Sequence, residues 1–210
     1  FEAEVQPLLA AKCGSCHLGH RFGIASAEPE VDLKAVMARV KRVVEEVYQA
    51  ESPETLRASG IDVYLGPTRF LDSHTIETGD DTLTGRRFLI ATGARPSVPP
   101  ISGIDDVDSL TYETLRDLEE LPRSFIVIGG GPIGCEMAQA FCRLGSHVTL
   151  LEVGPRILPQ DEPEASDLIA SCLITDGVDL RLGATVQRVW QNGDTIHVRI
   201  EGQELEGDAL

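Results

Sequence analysis

Gly129-Gly130-Gly131-Pro132-Ile133-Gly134 sets three glycines at the spacing G-x-G-x-x-G, and Glu152 follows about twenty residues on. The first glycine permits a tight turn from strand to helix. The second, Gly131, leaves room for an anion to reach backbone amides, and the third, Gly134, lets a helix lie close on a strand. A helix opened by Pro132 aims its free N–H groups and the positive end of its dipole at that anion. An acid at the tip of the next strand then accepts from ribose hydroxyls. The chemistry implied is the binding of a dinucleotide by its pyrophosphate and its sugar. Glu152 favours NAD over NADP because a carboxylate repels a 2′-phosphate, and Arg156 nearby weakens that preference.

The elements around the motif fit this reading. Phe125 to Ile128 is a buried strand, Pro132 to Leu144 a helix with Ile133, Met137, Phe141 and Leu144 on its apolar stripe, and His147 to Leu151 a second strand. A further helix, about Glu164 to Ile174, stops at Asp176-Gly177 before a strand from Val178 to Leu182. Asn192-Gly193 between alternating segments marks a tight hairpin.

Upstream, Leu33, Val36, Met37, Val40, Val43, Val44 and Val47 fall on one face of a long helix that Asp32 caps. That stripe is expected to cover a sheet, with Lys41–Glu45 and Arg42–Glu46 pairing across one turn. Ser52-Pro53 ends the helix before a short second turn finishing at Gly60. Ile61 to Leu71 and Thr75 to Thr78 alternate as strands of a small antiparallel meander, and Phe88 to Ala91 is an apolar run of the kind covered on both faces. The proline-rich stretch from Pro96 to Pro100 is an extended linker near a domain boundary.

The runs from Phe125 to Phe141 (FIVIGGGPIGCEMAQAF), Leu144 to Glu152 (LGSHVTLLE) and Phe88 to Pro96 (FLIATGARP) resemble the pyridine nucleotide-disulfide oxidoreductases, in particular mercuric reductases and dihydrolipoyl dehydrogenases. The resemblance spans roughly Phe22 to Leu210. It implies an α/β, doubly wound, Rossmann-like NAD(P)-binding domain at 108–210 and part of an FAD-binding domain at 22–107. It also implies bound FAD, electrons passing from NAD(P)H through flavin to a cysteine pair or a metal-ion substrate, and a homodimeric parent. Thr92, Gly93 and Ala94 would lie beside FAD. Gly129, Gly130, Gly131, Pro132, Ile133, Gly134 and Glu152 would hold the nicotinamide cofactor. Glu136 falls where the family sets a carboxylate near the nicotinamide, although the bare sequence reads equally as a solvated helix residue. The stretch Gly66 to Phe70 matches one whose backbone contacts adenine in the family, and it also reads as a plain strand junction. Two family features are missing from the sequence: a second glycine-rich fingerprint, for FAD, and a redox pair with four residues between its cysteines.

Cys13-Gly14-Ser15-Cys16-His17 in the separate segment 1–21 fits C-x-x-C-H, the pattern of covalent c-type haem attachment. Three readings stand: a cytochrome-like remnant without haem, a degenerate stretch in the place of the family's redox helix, and a working thiol pair or metal site with His17 and His20. No metal set is expected elsewhere. Cys135, Cys142 and Cys172 read as buried apolar residues, and His74, His147 and His197 as surface or structural histidines without partners.

Composition narrows the partners. Thirty-four acidic residues against 18 Lys and Arg give a net charge of -16, which repels a nucleic-acid backbone. No stretch approaches the length of a membrane span, so a cytoplasmic setting is expected. An enzyme is expected; a catalytically inactive dinucleotide-binding module is the rival.

Overall fold

Local signals set most of the elements in this computed structural model, which describes residues 31–210; the Cys13–His17 motif lies outside them. Residues 33–210 form one unit. Helix α1, Leu33–Ala50, carries the expected valine stripe, but only Leu33 and Met37 are buried on it. Val40, Val43, Val44 and Val47 are exposed, so the stripe does not cover a sheet among the described residues. Arg42 pairs with Glu46 at 3.8 Å as the spacing requires. Lys41 reaches instead to Asp117 at 3.1 Å, and Glu45 accepts from Gln49. Helix α2, Pro53–Ala58, starts where Ser52 Oγ accepts from Thr55 N.

The small meander is β1 (Thr68–Phe70), β2 (Thr75–Thr78) and β3 (Asp81–Thr84), all antiparallel. Residues 61–67 do not extend β1, contrary to the alternation. Phe88 to Ala91 is not a strand either: Leu89 and Ile90 are 92% and 70% exposed. An apolar run becomes a covered strand only beside neighbours that take its N–H and C=O groups, and none of the described residues pairs with it.

The segment from 124 to 182 forms as its periodicity dictates. Strand β4 (Ser124–Ile128), helix α3 (Pro132–Leu144), strand β5 (His147–Glu152), helix α4 (Pro163–Asp176) and strand β6 (Asp179–Leu182) alternate, and the three strands are parallel in the order β4-β5-β6. Gly145 and Gly177, at φ +113° and +103°, end the two helices in left-handed caps that bond back to the last turns. Phe125 on β4 meets Phe141 on α3 edge-on at 4.9 Å, in a core that includes Ala138, Val148 and Leu150. That contact anchors α3 on the sheet, and so fixes the loop between β4 and α3.

Strands β7 (Val186–Asn192), β8 (Thr195–Ile200) and β9 (Gln203–Gly207) form a second antiparallel meander, joined at the anticipated Asn192-Gly193 turn. Val189, Ile196, Val198 and Ile200 on its inner face pack with Ile126 and Leu151 of the parallel sheet. The alternate residues, among them Trp190, His197 and Arg199, therefore occupy its outer face. No described helix is long and apolar enough to cross a membrane.

Candidate dinucleotide-binding site

The glycine loop leaves β4 through Gly129, whose φ of +107° belongs to the left-handed region that a side chain disfavours. Its N–H donates to Leu151 O on β5 at 2.8 Å, so the turn is tied to the sheet. Gly134, in the first turn of α3, sits against Gly129 O so closely that a Cβ there would collide with the carbonyl. This is the close helix–strand approach expected of the third glycine. Gly131 is the helix N-cap and offers no side chain to the first-turn amides, which have no intrahelical partner. A Cβ added to Gly131 would meet nothing within 4 Å. The open space lies where the pyrophosphate was expected.

Gly130 is different. A Cβ there would press on Ile157 Cγ2 at 2.7 Å and on Glu152 Oε2 at 3.0 Å. Glu152 is 9% exposed, and its carboxylate closes the floor of the loop: Oε2 accepts from Gly130 N and Oε1 from Gly154 N, both at 2.6 Å. Gly130 O accepts from Leu158 N at 2.7 Å, and the fully buried Ile157 gives its carbonyl to Ser166 Oγ on α4 at 2.7 Å. The loop after β5 is thus folded down onto the glycine loop. Gly154, Ile157, Leu158 and Ser166 belong to this brace, and no sequence spacing singled them out. Arg156 points back into its own loop, donating to Asp161 O at 2.8 Å and Pro159 O at 2.9 Å.

A cavity of about 380 Å³ opens beside Gly129, Gly131, Gly134 and Met137, and Val98 and Tyr112 also line it. Its volume falls in the range of small-molecule sites. Pro132 and Ile133 are exposed at its edge. Thr92, Gly93 and Ala94 are exposed in a segment without regular structure; Gly93 has φ +69° and Ala94 O accepts from Tyr112 Oη at 3.4 Å. Glu136 is exposed on α3 and does not line the cavity. The structure therefore brings the glycine loop and Glu152 together by a hydrogen bond, while neither Glu152 nor Glu136 lines the cavity.

Cys135 is buried beneath the loop, its thiol donating to Gly130 O at 3.5 Å. Burial first, and then the charges of Glu152 and Glu136, push it up to about 11. Cys142 is also raised, mainly by burial and then by Asp176. Both shifts disfavour the thiolate, the form in which a cysteine acts as a nucleophile. Of the three cysteines expected to be buried, Cys142 is only half-buried and Cys172 is exposed on α4.

Parallel β4-β5-β6 with crossover helices, and an uncapped helix facing a glycine turn, define an α/β dinucleotide-binding fold. Residues 14–210 match the family model of the pyridine nucleotide-disulphide oxidoreductases, and the chain belongs to that family. It is 36% identical over 193 residues to mercuric reductase of Lysinibacillus sphaericus, covering 90% of this chain and 35% of that protein. With dihydrolipoyl dehydrogenase of Thermus scotoductus it shares 34% identity over 186 residues, covering 87% and 39%. The solved HOCl-induced flavoprotein disulfide reductase RclA of Escherichia coli superposes with a TM-score of 0.73 at 33% identity, covering 86% of this chain and 42% of that one. The chain thus spans about 30–44% of the length of its curated relatives.

Proposed function

We propose that residues 108–210 are the NAD(P)H-binding domain of an FAD-dependent oxidoreductase that resembles mercuric reductase, and that 22–107 are part of its FAD-binding domain. The observation that carries this is the pairing of empty space at the Gly131 Cβ position with an uncapped α3 N-terminus. A pyrophosphate seated there accepts from the first-turn amides and meets the positive end of the helix dipole. Arg156, in the loop braced against the glycines, is committed to backbone carbonyls, so the helix supplies the attraction. Each carboxylate oxygen of Glu152 spends one lone pair on Gly130 or Gly154 and keeps another for a ribose hydroxyl. The same negative charge disfavours a 2′-phosphate, and NAD is the proposed form.

Reduced nicotinamide bound in this way supplies a hydride, which the parent enzyme passes to flavin and on to a disulfide or a metal ion. The chain's own contribution is alignment: the loop fixes the diphosphate, Glu152 fixes the ribose, and Glu136 is assigned to the nicotinamide end. Thr92, Gly93 and Ala94 are assigned to FAD, and the described residues hold no second glycine-rich fingerprint for its pyrophosphate. A dihydrolipoyl dehydrogenase-like parent fits the same domain, and a homodimer and a cytoplasmic setting belong to the same proposal.

Titration with NADH and with NADPH, followed by nicotinamide fluorescence, tests the reading. Saturable binding that favours NADH, with reduction of an added dye acceptor when FAD is supplied, supports the reductase. Binding without electron transfer supports the inactive module, and no binding to either coenzyme overturns both.

A further inference from the structure

The outer face of the second meander carries a side-chain cluster that the dinucleotide site does not use. His197 on β8 stands opposite Glu206 on β9 and Trp190 on β7, with Glu204 one alternate position along β9. Its Nδ1 lies 3.2 Å from Glu204 Oε1 and 3.6 Å from Glu206 Oε1. That nitrogen is shut off from solvent and has the geometry of a hydrogen bond to neither oxygen. The three donor atoms all lie within 4.8 Å of one another. We propose that His197 Nδ1, Glu204 Oε1 and Glu206 Oε1 form a binding site for a divalent transition-metal cation of the zinc type.

The neighbours hold the donors in place. Trp190 stacks on the imidazole at 5.1 Å with the rings 2° from parallel, which fixes the plane in which the Nδ1 lone pair points. Arg199 Nη2 donates to Glu204 Oε2 at 2.8 Å and leaves Oε1 turned toward the histidine. Arg188 and Arg199 both lie over the Trp190 ring, at 5.7 and 5.3 Å. Ligation through Nδ1 places the imidazole proton on Nε2, which is 3.4 Å from the Asn192 amide nitrogen. Turned over, that amide presents its oxygen to the N–H, the outer contact that ligating histidines ordinarily make.

The donor set selects the ion. One imidazole nitrogen and two carboxylate oxygens suit zinc, and by intrinsic affinity copper(II) competes above it and manganese below it. The absence of sulfur disfavours copper(I), and the imidazole disfavours calcium and magnesium. Glu206 is 69% exposed, so water completes the coordination from the open side. A cation here also joins β8 to β9 and raises the stability of the meander by mass action.

The experiment uses the full chain with Cys13→Ser and Cys16→Ser, which removes the thiol pair near His17. Calorimetric titration with zinc chloride should show one saturable site. His197→Gln and the more conservative Glu206→Gln should each weaken it at least about tenfold, while the fold is retained by circular dichroism. Cobalt(II) should give visible d–d bands that zinc displaces, and zinc should raise the thermal midpoint of the double Ser chain more than that of its Glu206→Gln derivative. Zinc binding that survives both substitutions unchanged, or no saturable binding, overturns the site and leaves His197 as a ring packed beside two carboxylates.

Discussion

Glu152 Oε2 accepts from Gly130 N at 2.6 Å, across twenty-two residues of sequence, and the same carboxylate bonds Gly154 N at 2.6 Å through its other oxygen. The acid that reads as a sugar ligand in the sequence is thus also the peg on which the glycine loop hangs. The two roles are compatible, because a carboxylate has more acceptor positions than the two backbone amides occupy.

Glu152→Gln tests the peg. The amide oxygen still accepts one bond, now without charge assistance, and the NH₂ group faces a backbone donor, so both charge-assisted bonds are lost and a donor is left opposed. The expected loss is about 1.5–3 kcal/mol, or roughly 2–4 °C of thermal midpoint for each kcal/mol. A midpoint unchanged within 1 °C contradicts the bracing role (about 0.5 kcal/mol on the same scale).

Gly130 and Gly131 are neighbours with opposite sensitivities. Gly130→Ala drives a methyl onto Ile157 and Glu152, an overpacking that costs about 1–3 kcal/mol. Gly131→Ala meets open space at a φ of -73°, so stability should change by less than about 0.5 kcal/mol. Its effect should appear in binding, because the methyl would enter the space proposed for the pyrophosphate. Denaturant melts and NADH titrations of the pair separate the two; equal NADH affinity in Gly131→Ala and the parent chain contradicts the geometry.

Ile157 is fully buried against Gly130 with its carbonyl held by Ser166. Ile157→Ala should cost about 2–5 kcal/mol from lost burial and the cavity left behind. The loop should also loosen, read as faster amide exchange at Gly130 and Leu158. Exchange that stays as slow as in the parent chain shows the brace is not set by this side chain.

Cys135 links the loop to pH. Its pKa is raised from 9.0 to about 11 in the fold, chiefly by burial, so the fold favours the protonated thiol. The associated stability is fully present below pH 9 and lost as pH rises through about 11. Cys135→Ala should flatten the decline in stability over that window. Among Cys135, Cys142 and Cys172, iodoacetamide at neutral pH should label exposed Cys172 first, as peptide mapping by mass spectrometry would report.

Elements with a local cause are legible in the chain's own residues. Pro132–Leu144 forms over the predicted residues because a Pro at its start and Gly145 at its end agree with its apolar spacing. The hairpin at Asn192-Gly193 forms for the same reason. The misreadings share the opposite cause. Phe88 to Ala91 and the valine face of α1 have the right patterns, but a buried strand or a covered helix face depends on partners that a pattern does not supply. Glycine positions in the site are legible from spacing, whereas the Glu152–Gly130 bond and the Ile157 contact depend on how the loop after β5 folds back. His197 reads as partnerless because its glutamates lie on another strand; only the β8–β9 register sets Glu206 opposite it.

The central claim is that backbone amides at the start of α3 bind a diphosphate. Its most direct measurement is the ¹H–¹⁵N correlation spectrum of the labelled chain titrated with NADH and, separately, with ADP-ribose. Both ligands should shift the Gly131, Ile133 and Gly134 amides most, with Gly130 following through Glu152. Binding that leaves those amides in place, or shifts confined to another face of the chain, would contradict it.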